Sequence, residues 1–204
     1  MAKIKKTKNA LKAERESLAR FYRFLPTLEL KKQQLQSEVR RADGEYREKM
    51  AEEAELREQL KTWVKLFSSD IDVGSYLRLV EVRTSTGNIA GVNVPIMEET
   101  VFQRAPVDLF QTPAWVDDAL EVLQQLVRLR VEQSILAQQR DLLGEELRIT
   151  SQRVNLFEKV KIPETQEHIR VIQIALGDAQ TAGVVRAKIA KGKTAAIVSG
   201  TGAT

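Results

Sequence analysis

Residues 11–39 carry the sequence LKAERESLARFYRFLPTLELKKQQLQSEV, in which apolar side chains recur every three or four positions. Continued to residue 63, this spacing defines two interleaved heptad positions, twelve of whose sixteen members are apolar. One comprises Leu11, Leu18, Leu25, Lys32, Val39, Tyr46, Glu53 and Leu60, and the other Glu14, Phe21, Leu28, Leu35, Ala42, Lys49, Leu56 and Trp63. A stripe with this period needs a second helix to cover it. We therefore predict that residues 1–66 form one arm of a coiled coil.

A second helical stretch, residues 113–190, is the obvious partner, although its pattern is less regular. Its predicted seam passes from Val154 and Phe157 to Ile169, Ile172 and Leu176, and the halves before and after Pro163 are out of phase. Such a slip locally unwinds a supercoil, and a proline inside a helix removes one backbone hydrogen bond and favours a kink. We expect kinks at Pro163 and, in the first arm, at Pro26.

Between the arms, in residues 67–112, the period changes to that of strands. Residues 77–83 alternate apolar and charged side chains, although Val80 breaks the alternation, and residues 84–88 have the composition of a turn. Residues 89–97 form the second predicted strand, with Gly91 as a possible bulge. The predicted fold is mainly α: a long antiparallel two-helix coiled coil formed by the N- and C-terminal helices, with a small head of short helices and a β-hairpin at about 77–97.

Composition supports this fold and narrows the functional classes. Charged residues make up 29% of the 204 residues and aromatic residues 5%, which suits helices with a narrow buried face. With no cysteine, disulfides and cysteine-ligated metal sites are excluded. No segment has the roughly 18 consecutive apolar residues of a membrane-spanning helix. We expect a cytoplasmic protein whose tail, residues 191–204, is disordered.

The positive charge is concentrated at the two ends of the chain. Lys3, Lys5, Lys6, Lys8 and Lys12 form one cluster without an acidic residue, and a second cluster comprises Arg186, Lys188, Lys191 and Lys193. If the arms fold back on each other, both clusters meet at one tip. Such a tip is able to dock in an acidic recess, bind phosphates or remain solvated. Nucleic acid is disfavoured as a partner because no aromatic residues interleave with the lysines to stack bases.

Residues that carry chemistry are scarce. Gly192, Lys193 and Thr194 resemble only the end of a phosphate loop, without its upstream glycine or preceding strand. His168 is the only histidine, so an ordinary zinc site is excluded and a surface or seam position is expected. Glu52, Glu53 and Glu55 are expected on the solvated side of the first helix. We therefore predict no catalytic residue, no cofactor and no metal.

Several segments nevertheless resemble one family, the D subunits of the V-type and archaeal-type ATPases. The similar segments are residues 28–35, the hairpin segment 91–95, residues 153–158 (RVNLFE), Ile162 with Pro163, Ile169 with Arg170, and residues 186–188 (RAK). They follow the family order and together cover most of the chain. Pro26 departs from the family pattern, because an uninterrupted helix is expected there.

The resemblance implies a non-catalytic central stalk in a rotary motor. It implies that the two terminal helices insert into a ring of alternating catalytic and non-catalytic nucleotide-binding subunits, A and B. The head and lower coil would bind a small stalk subunit, F, and the far end would sit on the funnel-shaped subunit that caps the membrane ring. ATP hydrolysis or synthesis would thereby couple to rotation and to translocation of protons or other ions, with the chain peripheral to the membrane. Candidate ring contacts are Arg153, Arg186, Lys188 and Lys191.

One alternative belongs to a different class. A coiled-coil adaptor, or the stalk of an export apparatus, would share the heptad seam without binding a nucleotide-hydrolysing ring. The predicted hairpin argues against this alternative.

Overall fold

The computed structural model describes residues 5–61, 73–106, 113 and 115–200. Three long helices account for most of these residues: α1 is Lys8–Lys61, α2 is Trp115–Leu156 and α3 is Ile162–Gly200. Between α1 and α2 lie a short 3₁₀ turn, Val73–Ser75, and two antiparallel strands, β1 (Leu77–Ile89) and β2 (Val92–Arg104). The predicted fold class is confirmed: the chain is mainly helical, with an N-terminal helix, a long C-terminal helix and a small antiparallel hairpin between them in the sequence.

The chain divides into two compact units. The terminal unit comprises residues 1–29 and 152–204, and the central unit comprises residues 30–151. The helical part of the first arm extends at least to Lys61; its predicted end at Leu66 lies outside the described residues.

Two apolar clusters organise the central unit. In the first, Leu35 and Ala42 of α1 meet Leu143 of α2 and Val94 of β2, and the hairpin residues Ile89, Ala90 and Val92 pack against this group. In the second, Val116 and Leu120 of α2 are covered by Tyr76, Leu77, Trp115 and Leu123. Leu35, Val116 and Leu120 are completely buried. The first cluster therefore joins α1, α2 and the hairpin in one core.

The hairpin is longer than predicted and turns at a different place. Residues 84–88, expected to form the turn, continue β1, and β2 extends to Arg104 instead of ending near Met97. The strands pair up to Ile89 and Val92, which leaves Ala90 and Gly91 as a two-residue turn, so Gly91 belongs to the turn and not to a bulge. The register shifts between Leu79 and Glu81, which makes Val80 the extra residue of a bulge. This bulge explains why Val80 breaks the alternation.

Ala90 adopts a backbone conformation that costs energy. Its φ is 51° and that of Gly91 is 81°, the left-handed pair that a type I′ hairpin turn requires. Asparagine tolerates this region better than alanine, so Ala90→Asn should raise the free energy of unfolding by about 1 kcal/mol. Urea denaturation would measure the change. The matched control, Ala51→Asn on the exposed face of α1, should instead lose roughly 0.5 kcal/mol because asparagine is a poor helix former; stabilisation at both sites would contradict the turn argument.

In the terminal unit, α2 and α3 are joined by one π-helical turn, Phe157–Lys161. The backbone N–H of Ile162 donates to the carbonyl of Phe157, five residues earlier. A π turn contains one residue more than an α turn, so the seam positions after it move one place along the sequence while their side chains stay on the same face. This extra residue accounts for the phase slip seen in the sequence. Pro163 falls in the first turn of α3, where a proline is tolerated.

Two expectations about irregularity stay predictions. α1 continues through Pro26, which is exposed, so the helix itself is not interrupted there, and the kink stays a prediction. The tail expected to be disordered, residues 191–204, is described as helix as far as Gly200, where α3 ends, and its disorder stays a prediction. Alanine and isoleucine in this segment are compatible with helix, and the scarcity of charge alone does not prevent one. Residues 201–204 lie outside the described part of the chain.

Candidate functional site

The predicted heptad seam lies on the inner face of the helices. Val154, Leu35 and Ile172 are buried, and none of the other predicted seam residues is classed as exposed. Those others are Leu11, Leu18, Phe21, Leu25, Leu28, Val39, Phe157, Ile169 and Leu176. Each of these apolar seam positions is thus at least partly removed from water.

In the terminal unit, α1 is linked across the seam to the π turn and to α3. The rings of Phe21 and Phe157 stack with their centroids 5.3 Å apart. The amide of Gln166 donates to the hydroxyl of Tyr22 over 2.9 Å. His168, the only histidine, lies 3.3 Å from a carboxylate oxygen of Glu14. These contacts place α1 and α3 antiparallel and put His168 at a seam position, one of the two places expected for it.

In the central unit, Glu53 is the centre of a polar layer between α1 and α2. Its side chain is only 8% exposed and accepts from Arg57 at 2.7 Å and from Arg130 at 2.9 Å. The neighbouring Gln133 is 6% exposed, and its amide donates to the backbone carbonyl of Lys49 over 2.9 Å. The expectation that Glu53 is solvated was therefore wrong, whereas Glu52 and Glu55 are exposed as expected.

Other polar contacts cross the same helix pair. Lys49 reaches Glu132 at 3.4 Å, and Lys31 reaches Glu146 at 2.8 Å. The guanidinium of Arg140 lies 5.3 Å from the centre of the Tyr46 ring, a cation–π distance. As the residue number of the α1 partner increases, that of the α2 partner decreases, so these two helices are also antiparallel.

The pKa of Glu53 reflects opposing influences. Burial raises it, but the hydrogen bond from Gln133 and the charges of Arg130 and Arg57 together hold the pKa below its ordinary value of 4.5. A carboxylate with a lowered folded pKa stabilises the protein above its unfolded pKa, and this contribution is lost as pH falls through the folded pKa.

Glu53→Gln should consequently destabilise the protein at pH 7 by about 2 kcal/mol, because charge-assisted hydrogen bonds are lost. The difference in free energy of unfolding between variant and wild type should become smaller once the pH falls below about 4.5. Urea denaturation at a series of pH values would measure it. Glu55→Gln, an exposed position on the same helix, is the control and should show little difference at any pH. A pH-independent deficit for Glu53→Gln would contradict the assigned ionisation.

The four candidate ring contacts all fall in the terminal unit. Arg153, Arg186, Lys188 and Lys191 are exposed, and none of them has an ion-pair partner among the described residues. Lys5, Lys6, Lys8 and Lys12 of the amino-terminal cluster are exposed in the same unit, where Lys12 pairs with Glu16 of its own helix. Lys3 lies outside the described residues. The four candidate cations are therefore available to a partner.

Other kinds of site find little support in the described part of the chain. There, no group of three or more histidine and acidic side chains is placed to hold a metal ion. Gly192, Lys193 and Thr194 lie within α3, and the Thr194 hydroxyl donates to the carbonyl of Ala190, so this segment is not a phosphate loop. None of the helices, within the described residues, is long and apolar enough to cross a membrane.

Sequence reasoning missed the polar layer because a local charge pattern was given more weight than the heptad. Glu53 occupies a seam position, but its acidic neighbours Glu52 and Glu55 suggested a solvated face. Its partners Arg130 and Gln133 lie 77 and 80 residues further along the chain, and no local pattern marks them. The heptad pattern could have indicated the polar layer, because it assigns both Glu53 and Lys49 to the seam.

The class of protein is thus a mainly helical one, built on antiparallel helix pairs with a β-hairpin packed against one of them. The family model for the ATP synthase D subunit matches residues 10–192. The chain belongs to this family. It is 47% identical over 191 residues to the V-type ATP synthase D subunit of Borreliella burgdorferi, covering 94% of this chain and 95% of the relative. The V-type ATP synthase D subunits of Chlamydia pneumoniae and Chlamydia caviae are 36% and 35% identical, with 93% and 94% of this chain and 92% and 94% of the relatives covered.

Proposed function

We propose that this chain is the central-stalk, or rotor-shaft, subunit of a V/A-type rotary ATPase. In this role it performs no chemistry and couples ATP hydrolysis or synthesis in the catalytic ring to rotation and to ion translocation across the membrane. The observation that carries the proposal is the family match over residues 10–192, which includes most of both terminal helices and the whole hairpin. The protein would be peripheral to the membrane on the cytoplasmic side.

The construction of the helix pairs supports a mechanical role. The 54 residues of α1 correspond to about 80 Å of helical rise. Two helices packed together resist bending and twisting better than one. Apolar and charge-paired contacts connect α1 to α2 in the central unit. In the terminal unit, ring stacking connects α1 to the π turn, and polar contacts connect it to α3. Such pairs are suited to carrying torque from a ring to a neighbouring subunit.

The proposed partners follow from the role. The terminal unit, with its exposed cations, would turn inside the ring of A and B subunits. The central unit would bind the small F subunit, and one end of the stalk would rest on the funnel-shaped subunit that caps the membrane ring. A stalk is able to favour one ring conformation only through differential contacts, so unequal faces of the helix pair are required.

The proposal is tested by co-expressing the chain with the F, A and B subunits. We expect one copy of the chain per ring and an altered rate of ATP hydrolysis. A variant with Arg186→Glu, Lys188→Glu and Lys191→Glu should bind the ring about tenfold or more weakly, because each substitution reverses a contact charge.

The matched control reverses three exposed cations of the central unit, Arg40→Glu, Arg47→Glu and Lys61→Glu, and should affect ring binding much less. Gel filtration, subunit stoichiometry and ATPase turnover are the measurements. A folded chain that does not bind the ring in any combination of the co-expressed subunits would overturn the rotor proposal and favour the adaptor alternative. Equal effects of the two charge reversals would instead remove only the assignment of Arg186, Lys188 and Lys191.

A further inference from the structure

The charged positions of the heptad seam are not random interruptions. Four seam positions of α1 carry charge: Glu14, Lys32, Lys49 and Glu53. Three of the four face an oppositely charged or ionisable group on the opposite helix, at 3.3 Å for Glu14 and His168, 3.4 Å for Lys49 and Glu132, and 2.9 Å for Glu53 and Arg130. Beside the fourth, Lys31 pairs with Glu146 at 2.8 Å. The seam is therefore charge-matched between helices at defined levels.

We propose that the layer formed by Glu53, Arg130 and Gln133, with Lys49, is a register lock that fixes the axial alignment of α1 and α2. The residues act as positioning residues: they select one alignment of two helices that could otherwise slide. This layer is the best candidate among the charged levels because it contains two polar residues that are almost completely buried. The whole residues Glu53 and Gln133 are each 6% exposed, and the side chain of Glu53 alone is 8% exposed.

The apolar part of the seam selects an alignment poorly. A heptad repeat looks similar to itself after a shift of seven residues, and leucine, valine and isoleucine replace one another in a helix interface at modest cost. On α2, leucines occupy positions 123, 126, 129, 136, 143 and 147, so a shifted helix still offers apolar side chains to α1.

The polar layer penalises those shifted alignments. If α2 shifts one heptad in one direction, Leu123 and Leu126 take the places of Arg130 and Gln133, and Glu53 is buried against leucines. If it shifts the other way, Ala137 replaces Arg130 and Arg140 must enter the place of the buried amide. In either shift Glu53 keeps Arg57 of its own helix but loses its partners on α2, and a buried carboxylate that loses partners is disfavoured. Only the observed alignment therefore satisfies Glu53 and Gln133 together.

The layer also holds the backbone of α1. Gln133 donates to the main-chain carbonyl of Lys49, one helical turn from Glu53, so the contact does not depend on a flexible side chain of α1. Lys49 itself is shared between Glu52 of its own helix and Glu132 of α2. A shift of one turn, about 5.4 Å, would break these contacts between the helices together.

The consequence for function rests on the proposed rotor role. A shaft made of two helices transmits torque only if the helices do not slide along each other. The register lock would keep the central unit stiff while its apolar clusters supply stability.

The test is a distance measurement on the full-length chain, which has no native cysteine. Spin labels are placed at Glu48 on α1 and Ser134 on α2, both exposed and close to the polar layer. Wild type should show one narrow distribution of distances between the two labels. Glu53→Leu should have a melting temperature no lower than that of Glu53→Gln, because an apolar residue suits the seam. Its distance distribution should nevertheless at least double in width, or gain a second population shifted by about 5–10 Å.

Glu58→Leu is the control, because Glu58 is exposed and pairs with Lys61 of its own helix. It should keep the single narrow distance. If Glu53→Leu does not fold, Glu53→Gln, which keeps the shape and removes the charge, must show the broadening. A single narrow distance in every folded Glu53 variant would overturn the register lock, whatever happens to stability.

In the assembled complex, a second readout connects the lock to the motor. Glu53→Leu should leave ring assembly intact and increase the ATP hydrolysed per ion moved by about twofold or more, whereas Glu58→Leu should not. The outcomes separate the two proposals. Failure of every variant and of wild type to assemble would contradict the rotor proposal, while unchanged distances would contradict the lock even if the rotor role holds.

Discussion

Leu35→Ala is expected to lower the free energy of unfolding of the central unit by about 3 kcal/mol. Leu35 is completely buried, and its cluster contains Ala42 of its own helix, Leu143 of α2 and Val94 of the hairpin. Truncation removes apolar contacts and leaves a cavity where three elements meet. Since α1, α2 and β2 cannot all collapse into this space, the cost should be near the middle of the range for buried leucines.

Urea denaturation followed by circular dichroism would measure the loss. Leu30→Ala is the matched control: the same substitution five residues earlier on α1, at a side chain that is 66% exposed. It should change stability by less than about 0.5 kcal/mol. Equal effects of the two substitutions would mean that the hairpin and α2 do not pack on Leu35 as described. Loss of the hairpin contact alone should appear as faster hydrogen exchange in residues 92–94.

Periodicity predicted the helices well because it is a physical requirement of their packing. A seam of Leu18, Phe21 and Leu25 can be covered only by another helix, and in the terminal unit Phe157 stacks on Phe21. The hairpin was also detectable, since the two strands alternate. Its turn was misplaced because residues 84–88 have turn composition but pair with β2, while Ala90, a residue seldom found with positive φ, takes the turn position.

Long-range polar contacts were beyond the reach of sequence patterns. The heptad identified Glu53 and Lys49 as seam positions, yet nothing local indicates that Glu53 meets Arg130 and is buried. The same holds for His168, whose partner Glu14 lies 154 residues earlier. A partner across the seam depends on the alignment of two helices, and several alignments satisfy the apolar pattern equally well. The polar side chains distinguish among these alignments, whereas the apolar side chains do not.

The π turn shows a different limit. The sequence revealed a phase slip near Pro163, but a slip can be made by a kink, a stutter or a π turn, and periodicity does not choose among them. The structure has five residues, Phe157–Lys161, in π geometry. In an α-helix the ring of Pro163 would clash with the carbonyl of Lys159; a wider turn directly before the proline relieves that contact. The π turn therefore accommodates both the extra residue and the proline.

Deletion of Val160 should keep α3 paired with α1 in the terminal unit but lower the free energy of unfolding. Loss of one residue rotates the following residues by roughly 100°, and reversion of the π turn to α geometry rotates them back by the same amount. Ile162, Thr165 and Ile172, which are all buried, would therefore stay in the seam with Val154. Pro163, however, would fall inside a continuous helix, which costs about 3 kcal/mol.

Spin labels at Arg15 of α1 and Glu167 of α3, both exposed near the Glu14–His168 contact, would report the result. The deletion should keep a single short distance, while urea denaturation shows the loss of stability; adding Pro163→Ala to the deletion should recover most of that loss. Val160→Ala is the control, because Val160 is 48% exposed and the substitution preserves the residue count. It should change neither the distance nor the stability by much. A broad distance distribution for the deletion would mean that the π turn does not absorb the extra residue of the sequence.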